Sequence, residues 1–290
     1  MNKRTHSRYI VSIALVLAAI ITSSFTARSH ADNVSLQEVI SKHLDSIGSP
    51  ETRAAVKSRV ILGTAMATFR IGGKGQSDGR AVLASQGNMS LVGISFGVPE
   101  YPRENLGFDG KSLTVADLTP GVRSTLGKFF MTHEMPFREG LLAGTLSAAW
   151  PLLDMSSRKA VLKYDGIKKV DGRQLHVVRY EPKNDSGLKT KLFFDAETFR
   201  HVRTEYEQRQ VQQMVTQPGV TQQQGDSITK LVEEFSDFKI EKGLTLPHTY
   251  KLQLSIEALN RRVLQDWAFT LSQFVFNKEL DQKQFDVTAK

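Results

Sequence analysis

From Arg59 to the C-terminus, apolar residues tend to recur at every second position, and this alternation limits the chain to strands with one wet and one buried face. In 199–209, Val202, Thr204 and Tyr206 alternate with Arg203, Glu205, Glu207 and Arg209. Tyr250, Leu252, Leu254 and Ile256 alternate with Lys251, Gln253 and Ser255. Trp267, Phe269 and Leu271 alternate with Asp266, Thr270 and Ser272. Strands are expected at 59–71, 80–85, 89–96, 160–167, 173–181 and 188–194, with 106–108 and 112–117 paired across Asp109-Gly110. Asp109-Gly110 and Asp171-Gly172 are hairpin signals of the type I′ kind. The glycine-rich run 72–79 reads as a loop.

Two segments depart from this period. Ser35-Leu36-Gln37-Glu38 is a capping box, and Leu36, Val39, Ile40, Leu44 and Ile47 follow at helical spacing until Gly48 and Pro50. A second helical turn is expected around 51–57. Between 124 and 153, Phe129, Phe130, Phe137, Leu141, Leu142, Leu146 and Trp150 fit two or three short helices, broken near Pro136 and Gly144. The glutamine-rich stretch 210–225 reads as an exposed loop.

Residues 1–31 form a secretory signal peptide by their three parts: Lys3, Arg4 and Arg8, then the apolar run 10–21, then Ser29-His30-Ala31. The run falls short of the ~20 residues a membrane span requires. Cleavage after Ala31 leaves residues 32–290 as a single exported, periplasmic β domain. The chain has no cysteine, which excludes disulfides, thiol catalysis and lipoprotein acylation at a cleavage site. Its net charge of +8 falls to +4 once four basic residues of the signal segment are removed, too little to suggest nucleic acid as a partner.

No catalytic signature survives its structural context. Gly93-Ile94-Ser95-Phe96-Gly97 matches the serine-hydrolase elbow, but Val98-Pro99-Glu100-Tyr101-Pro102 follows where a helix should start. His133-Glu134 opens like a zinc motif, yet position 137 is Phe. Gly110-Lys111-Ser112 lacks the first P-loop glycine, since position 105 is Asn. The five histidines after Ala31 show no metal-ligand spacing. The chain is therefore read as a non-enzyme with no metal or cofactor.

The order of a helix, a long strand, Gly79-Arg80-Ala81-Val82-Leu83, Phe108-Asp109-Gly110-Lys111-Ser112-Leu113-Thr114-Val115, Val170-Asp171-Gly172-Arg173, 192–198 and Phe238 to His248 resembles the LolA/LolB-like superfamily of periplasmic lipoprotein carriers and outer-membrane lipoprotein-sorting proteins. That resemblance implies a mainly β, α+β fold: a curved antiparallel half-barrel with an N-terminal helix and short helices over the concave face. It implies an apolar cavity for a lipoprotein's acyl chains or another lipid, covered by helices as a lid. A membrane-bound donor or acceptor protein is a further expected partner, and a monomer is expected, although the sequence does not identify the oligomeric state. Strand parity, the helical stripe and the family picture together select Phe69, Leu83, Leu91, Phe108, Leu113 and Val115 as floor residues and Phe129, Phe130, Phe137, Leu141 and Trp150 as lid residues. The same residues would equally serve as a dry core. A protein-interaction or envelope-stress sensor module on the same fold is the alternative function, and a secreted hydrolase using Ser95 is the remaining one.

Overall fold

The computed structural model describes residues 34–72, 75–184, 186–210, 226–259 and 261–288. The proposed signal peptide and positions 211–225 of the glutamine-rich stretch lie outside them. Among the described residues the alternating segments become twelve strands: β1 Ser58–Ile71, β2 Gly75–Gln86, β3 Met89–Val98, β4 Tyr101–Phe108, β5 Leu113–Val115, β6 Val161–Val170, β7 Arg173–Glu181, β8 Lys189–Asp195, β9 His201–Gln210, β10 Ser227–Glu241, β11 Leu244–Ala258 and β12 Arg261–Phe276. They form one antiparallel sheet in the order β5-β4-β3-β2-β1-β12-β11-β10-β9-β8-β7-β6.

This order explains the architecture. The chain starts mid-sheet at β1 and steps outward through hairpins to β5. It then crosses to the opposite edge, β6, and steps back until β12 lies beside β1. Edges β5 and β6 do not pair with each other, so the curved sheet is an open half-barrel. The connection from β5 to β6, residues 116–160, carries the short helices over the concave face: α3 (Thr125–Thr132), α4 (Met135–Arg138) and 3₁₀ turns at 144–146, 151–153 and 155–157. We call this connection the cover. No described helix is long and apolar enough to cross a membrane.

Local chemistry sets the helix starts. Ser35 accepts the Glu38 N–H at 3.1 Å and opens α1 (Leu36–Ile47), which buries Val39, Ile40, His43 and Ile47. Ser49 caps α2 (Pro50–Ala55), and Ser124 caps α3 by accepting the Gly127 N–H at 2.7 Å. The main core lies between sheet and cover, where Phe108, Phe130, Phe137, Trp150, Phe194, Phe235, Trp267 and Phe269 are all buried. Each such side chain contributes about 2–3 kcal/mol of hydrophobic stabilisation.

Three local expectations need correction. The run from Gly75 to Gly79 is strand, because Gly79 lets β2 lie close on β3: a Cβ there would meet the Ser95 carbonyl oxygen at 2.5 Å. The Asp109 turn is a four-residue loop in which the Asp109 carboxylate accepts the N–H groups of Lys111 (2.8 Å) and Ser112 (2.7 Å). In β9, a register shift sends Val202 to a small cluster with Leu175, Val177 and Phe193, away from Thr204 and Tyr206.

Candidate functional site

The floor residues chosen from the sequence largely converge. Leu83, Phe108 and Val115 are buried beneath the cover, and Phe69 and Leu113 pack partly buried against the same core. Leu91 does not belong. The two-residue turn between Gln86 and Met89 pairs Leu83 with Val92, which turns Leu91 to the convex face beside Val82 and Asn105. Val92 takes the concave position. Phe129, Phe130, Phe137, Leu141 and Trp150 are all buried on the inner side of the cover.

The two layers are closed against each other. Between Leu83, Val92, Phe137, Leu142 and Leu146 lies a void of about 10 Å³, the threshold for one water molecule. A larger recess of about 490 Å³ opens where the hairpin tips meet the start of the cover. Phe69, Val98, Tyr101 and Leu118 make its apolar wall, with Gln76, Glu100, Arg123 and Gln265 among its polar residues.

Polar groups fasten the cover to the scaffold at several places, among them the Ser85 hydroxyl, which accepts the Ala148 N–H at 2.8 Å, and the Tyr180 hydroxyl, which donates to Glu139 at 2.6 Å. Glu233 of β10 accepts the Ala143 N–H at 2.7 Å and the hydroxyls of Tyr206 and Tyr250, each at 2.8 Å. Glu104 of β4 accepts the hydroxyls of Ser124, the α3 cap, at 2.7 Å and of Tyr101, which itself accepts the Trp267 indole N–H at 2.9 Å. Burial pushes both carboxyls up to about 7, against the downward pull of these hydrogen bonds. Arg59 of β1 donates Nη1 to the carbonyl oxygens of Thr145 and Ser147. His43 of α1 accepts the Trp150 indole N–H on Nε2 at 3.1 Å, so its proton sits on Nδ1 and is donated to the Phe199 carbonyl at 3.1 Å. Burial holds His43 neutral, its pKa drawn down to about 4.

His201 joins this cluster without fastening the cover. It stacks on Trp150 at 4.6 Å, and its Nε2 lies 2.9 Å from the Thr204 hydroxyl. Burial lowers its pKa well below the usual histidine value.

None of these polar residues is among the candidates read from the sequence. One signal for Glu233 was available: Leu231, Glu233 and Phe235 share a strand parity, which places an acid in a buried row.

Ser95 lies within β3, opposite Arg80 and Arg103, and its side is exposed. The strand–turn–helix geometry of a nucleophile elbow is not formed there. Gly110-Lys111-Ser112 is in the loop between β4 and β5, and His133 is the residue that ends α3.

The scaffold defined by these observations is an open antiparallel half-barrel whose concave face is roofed by one polar-fastened crossover. No family model and no curated protein matches the sequence. Among solved structures, the chain is similar to a LolA superfamily protein from Nitrosomonas europaea, with 15% identity, 87% of this chain and 97% of that one covered, and a TM-score of 0.47. It is similar to a domain described as an outer membrane lipoprotein-sorting protein from Vibrio parahaemolyticus, with 10% identity, 86% and 94% covered, and a TM-score of 0.42. A DUF1329 family protein from Desulfovibrio piger has 10% identity, 87% and 97% covered, and a TM-score of 0.39.

Proposed function

We propose that this protein is an exported, periplasmic carrier of a lipid-like ligand, with the cover serving as a lid over the concave face. The observation that carries the reading is how the cover is attached. It is a crossover between two unpaired sheet edges, its helices are 8 and 4 residues long, and polar contacts fasten it at separated points. Helices this short have little stability of their own and depend on their contacts. A cover of this kind can detach as a unit while the sheet keeps its ladders.

Detachment would expose two apolar surfaces. Phe69, Leu83, Phe108, Leu113 and Val115 are the proposed ligand contacts on the sheet; Phe129, Phe130, Phe137, Leu141 and Trp150 are those on the lid. An acyl chain between them gains about 0.8 kcal/mol per buried CH₂. In this reading the signal peptide is removed after Ala31, and the soluble carrier passes lipoprotein acyl chains or another lipid between membrane-bound partners.

Titrating a fluorescent fatty acid into the mature protein, with melting curves and amide exchange alongside, tests the proposal. Ligand at a hundredfold excess over its dissociation constant should stabilise the fold by about 2.7 kcal/mol. Exchange in residues 125–157 should change while β10–β12 stays protected. Absence of both effects would sink the carrier reading.

A further inference from the structure

We propose that Arg59 is the head-group site of this interior, and that the ligand is an acyl chain ending in an anionic oxygen group, a carboxylate or a phosphate. The inference rests on the lid reading above and adds the class of ligand. Arg59 is 2% exposed at the start of β1 and lies opposite Ser85 on the concave side of the sheet. Its charge faces only neutral partners, the carbonyl oxygens of Thr145 and Ser147. No ion pair joins it to an acid among the described residues. A buried cation without a counter-charge is costly, and arginine cannot escape by losing its proton at neutral pH.

Two further polar atoms point the same way. Arg59 Nε and the hydroxyl of Thr145 are both buried without a hydrogen-bond partner. An arginine serving only to fasten the cover would have little reason to keep a spare buried donor. A carboxylate or phosphate can take two parallel N–H bonds from a guanidinium, including the one from Nε, and is the strongest partner available to it. Ser85 and Ser147 bring additional hydroxyls, now bonded to the Ala148 and Ala149 N–H groups. Both also line the small apolar void with Leu83 and Leu146. One side of the site is thus cationic and hydroxylic, and the next is aliphatic. When residues 143–148 lift, Arg59 loses its two carbonyl acceptors, an anionic head group replaces them, and the Ser85 hydroxyl, freed from the Ala148 N–H, is the one that stays beside Arg59 on the sheet.

The test compares laurate, dodecyl phosphate and dodecanol on the mature chain at neutral pH, read by melting temperature and tryptophan fluorescence, with inorganic phosphate as a further arm. The two anionic amphiphiles should bind at least tenfold more tightly than the alcohol. Arg59→Gln should erase that preference, so that all three amphiphiles bind alike, whereas Arg59→Lys should retain part of it. If Arg59→Gln does not fold, the preference of the parent and of Arg59→Lys decides. Equal binding of all three amphiphiles would overturn the head-group assignment and leave the carrier reading standing. Binding of none would overturn both. Inorganic phosphate stabilising as well as dodecyl phosphate does would assign the site to a free anion and overturn the amphiphile class.

Discussion

The Glu233 carboxylate reaches across from β10 to accept the backbone N–H of Ala143, 2.7 Å away, and Ala143 holds the left-handed backbone angle φ of 64° to present it. The next residue, Gly144, has φ of 49° and sits so close to His201 that a Cβ would fall 2.7 Å from Nδ1 and 2.9 Å from Phe235 Cζ. Two adjacent residues share one backbone conformation, and only one has room for a side chain. Ala143→Gly should therefore be neutral or stabilising by up to about 1 kcal/mol, since it relieves a left-handed alanine. Gly144→Ala should destabilise by about 2–4 kcal/mol through strain and overpacking. Urea denaturation of the two variants checks the contrast, and equal losses would contradict it.

Trp150→Phe removes the indole N–H that His43 Nε2 accepts, while keeping most of the apolar surface. A buried acceptor left without a partner costs about 1–3 kcal/mol. The lost donor had favoured the neutral ring, so the His43 pKa should also rise above its present value of about 4. NMR titration of the His43 ring reads this directly. A stability loss with no change in titration would place the effect in packing alone.

Much of this fold is legible in the sequence because its strands alternate cleanly. Tyr250, Leu252 and Leu254 enter the core and Lys251 and Gln253 leave it, as their period dictates. The Ser35 cap needs only four consecutive residues to be seen. The misplacement of Leu91 arises between strands: parity is readable within β2 and within β3, but their register depends on a two-residue turn, and a shift of one residue swaps the faces. The fastening groups are harder still. Glu233, Tyr206, Tyr250 and Ala143 lie on four separate segments, and only the completed sheet and crossover bring them together. Arg59 stands at a strand entrance, where a charged residue ordinarily reaches solvent; here the cover comes down over it.

Ser95 tests the reading of the G-x-S-x-G segment. Its side chain is exposed in the middle of a strand, with no adjoining helix to form an elbow. Ser95→Ala should change stability by less than about 0.5 kcal/mol, as surface replacements away from special features usually do. Lipid binding should be unaltered. An esterase activity present in the parent and lost in a folded Ser95→Ala protein would overturn the non-enzyme reading.

The pH dependence of stability should reveal two opposing sets of buried groups. Glu104 and Glu233 have folded pKa values raised from 4.5 to about 7. Between those values the folded state holds protons that the unfolded chain has released, so these two acids make stability fall as pH rises. His43 is lowered from 6.5 to about 4, and His201 is lowered well below 6.5. There the unfolded chain holds the extra protons, so the histidines make stability rise with pH up to 6.5. From about pH 4.5 to 6.5 the two acids oppose the histidines, a set that also includes His133 and His176, both lowered by burial, and above that window the acids alone make stability fall towards pH 7. Glu233→Gln keeps a carbonyl acceptor for the tyrosines or Ala143 but no longer titrates. It removes one falling contribution, so across that window the slope of stability against pH should become more positive than the parent's by about 1.4 kcal/mol per pH unit. Urea unfolding at a series of pH values measures the slope. An unchanged slope in folded Glu233→Gln would show that Glu233 is not a buried neutral acid holding the cover in place.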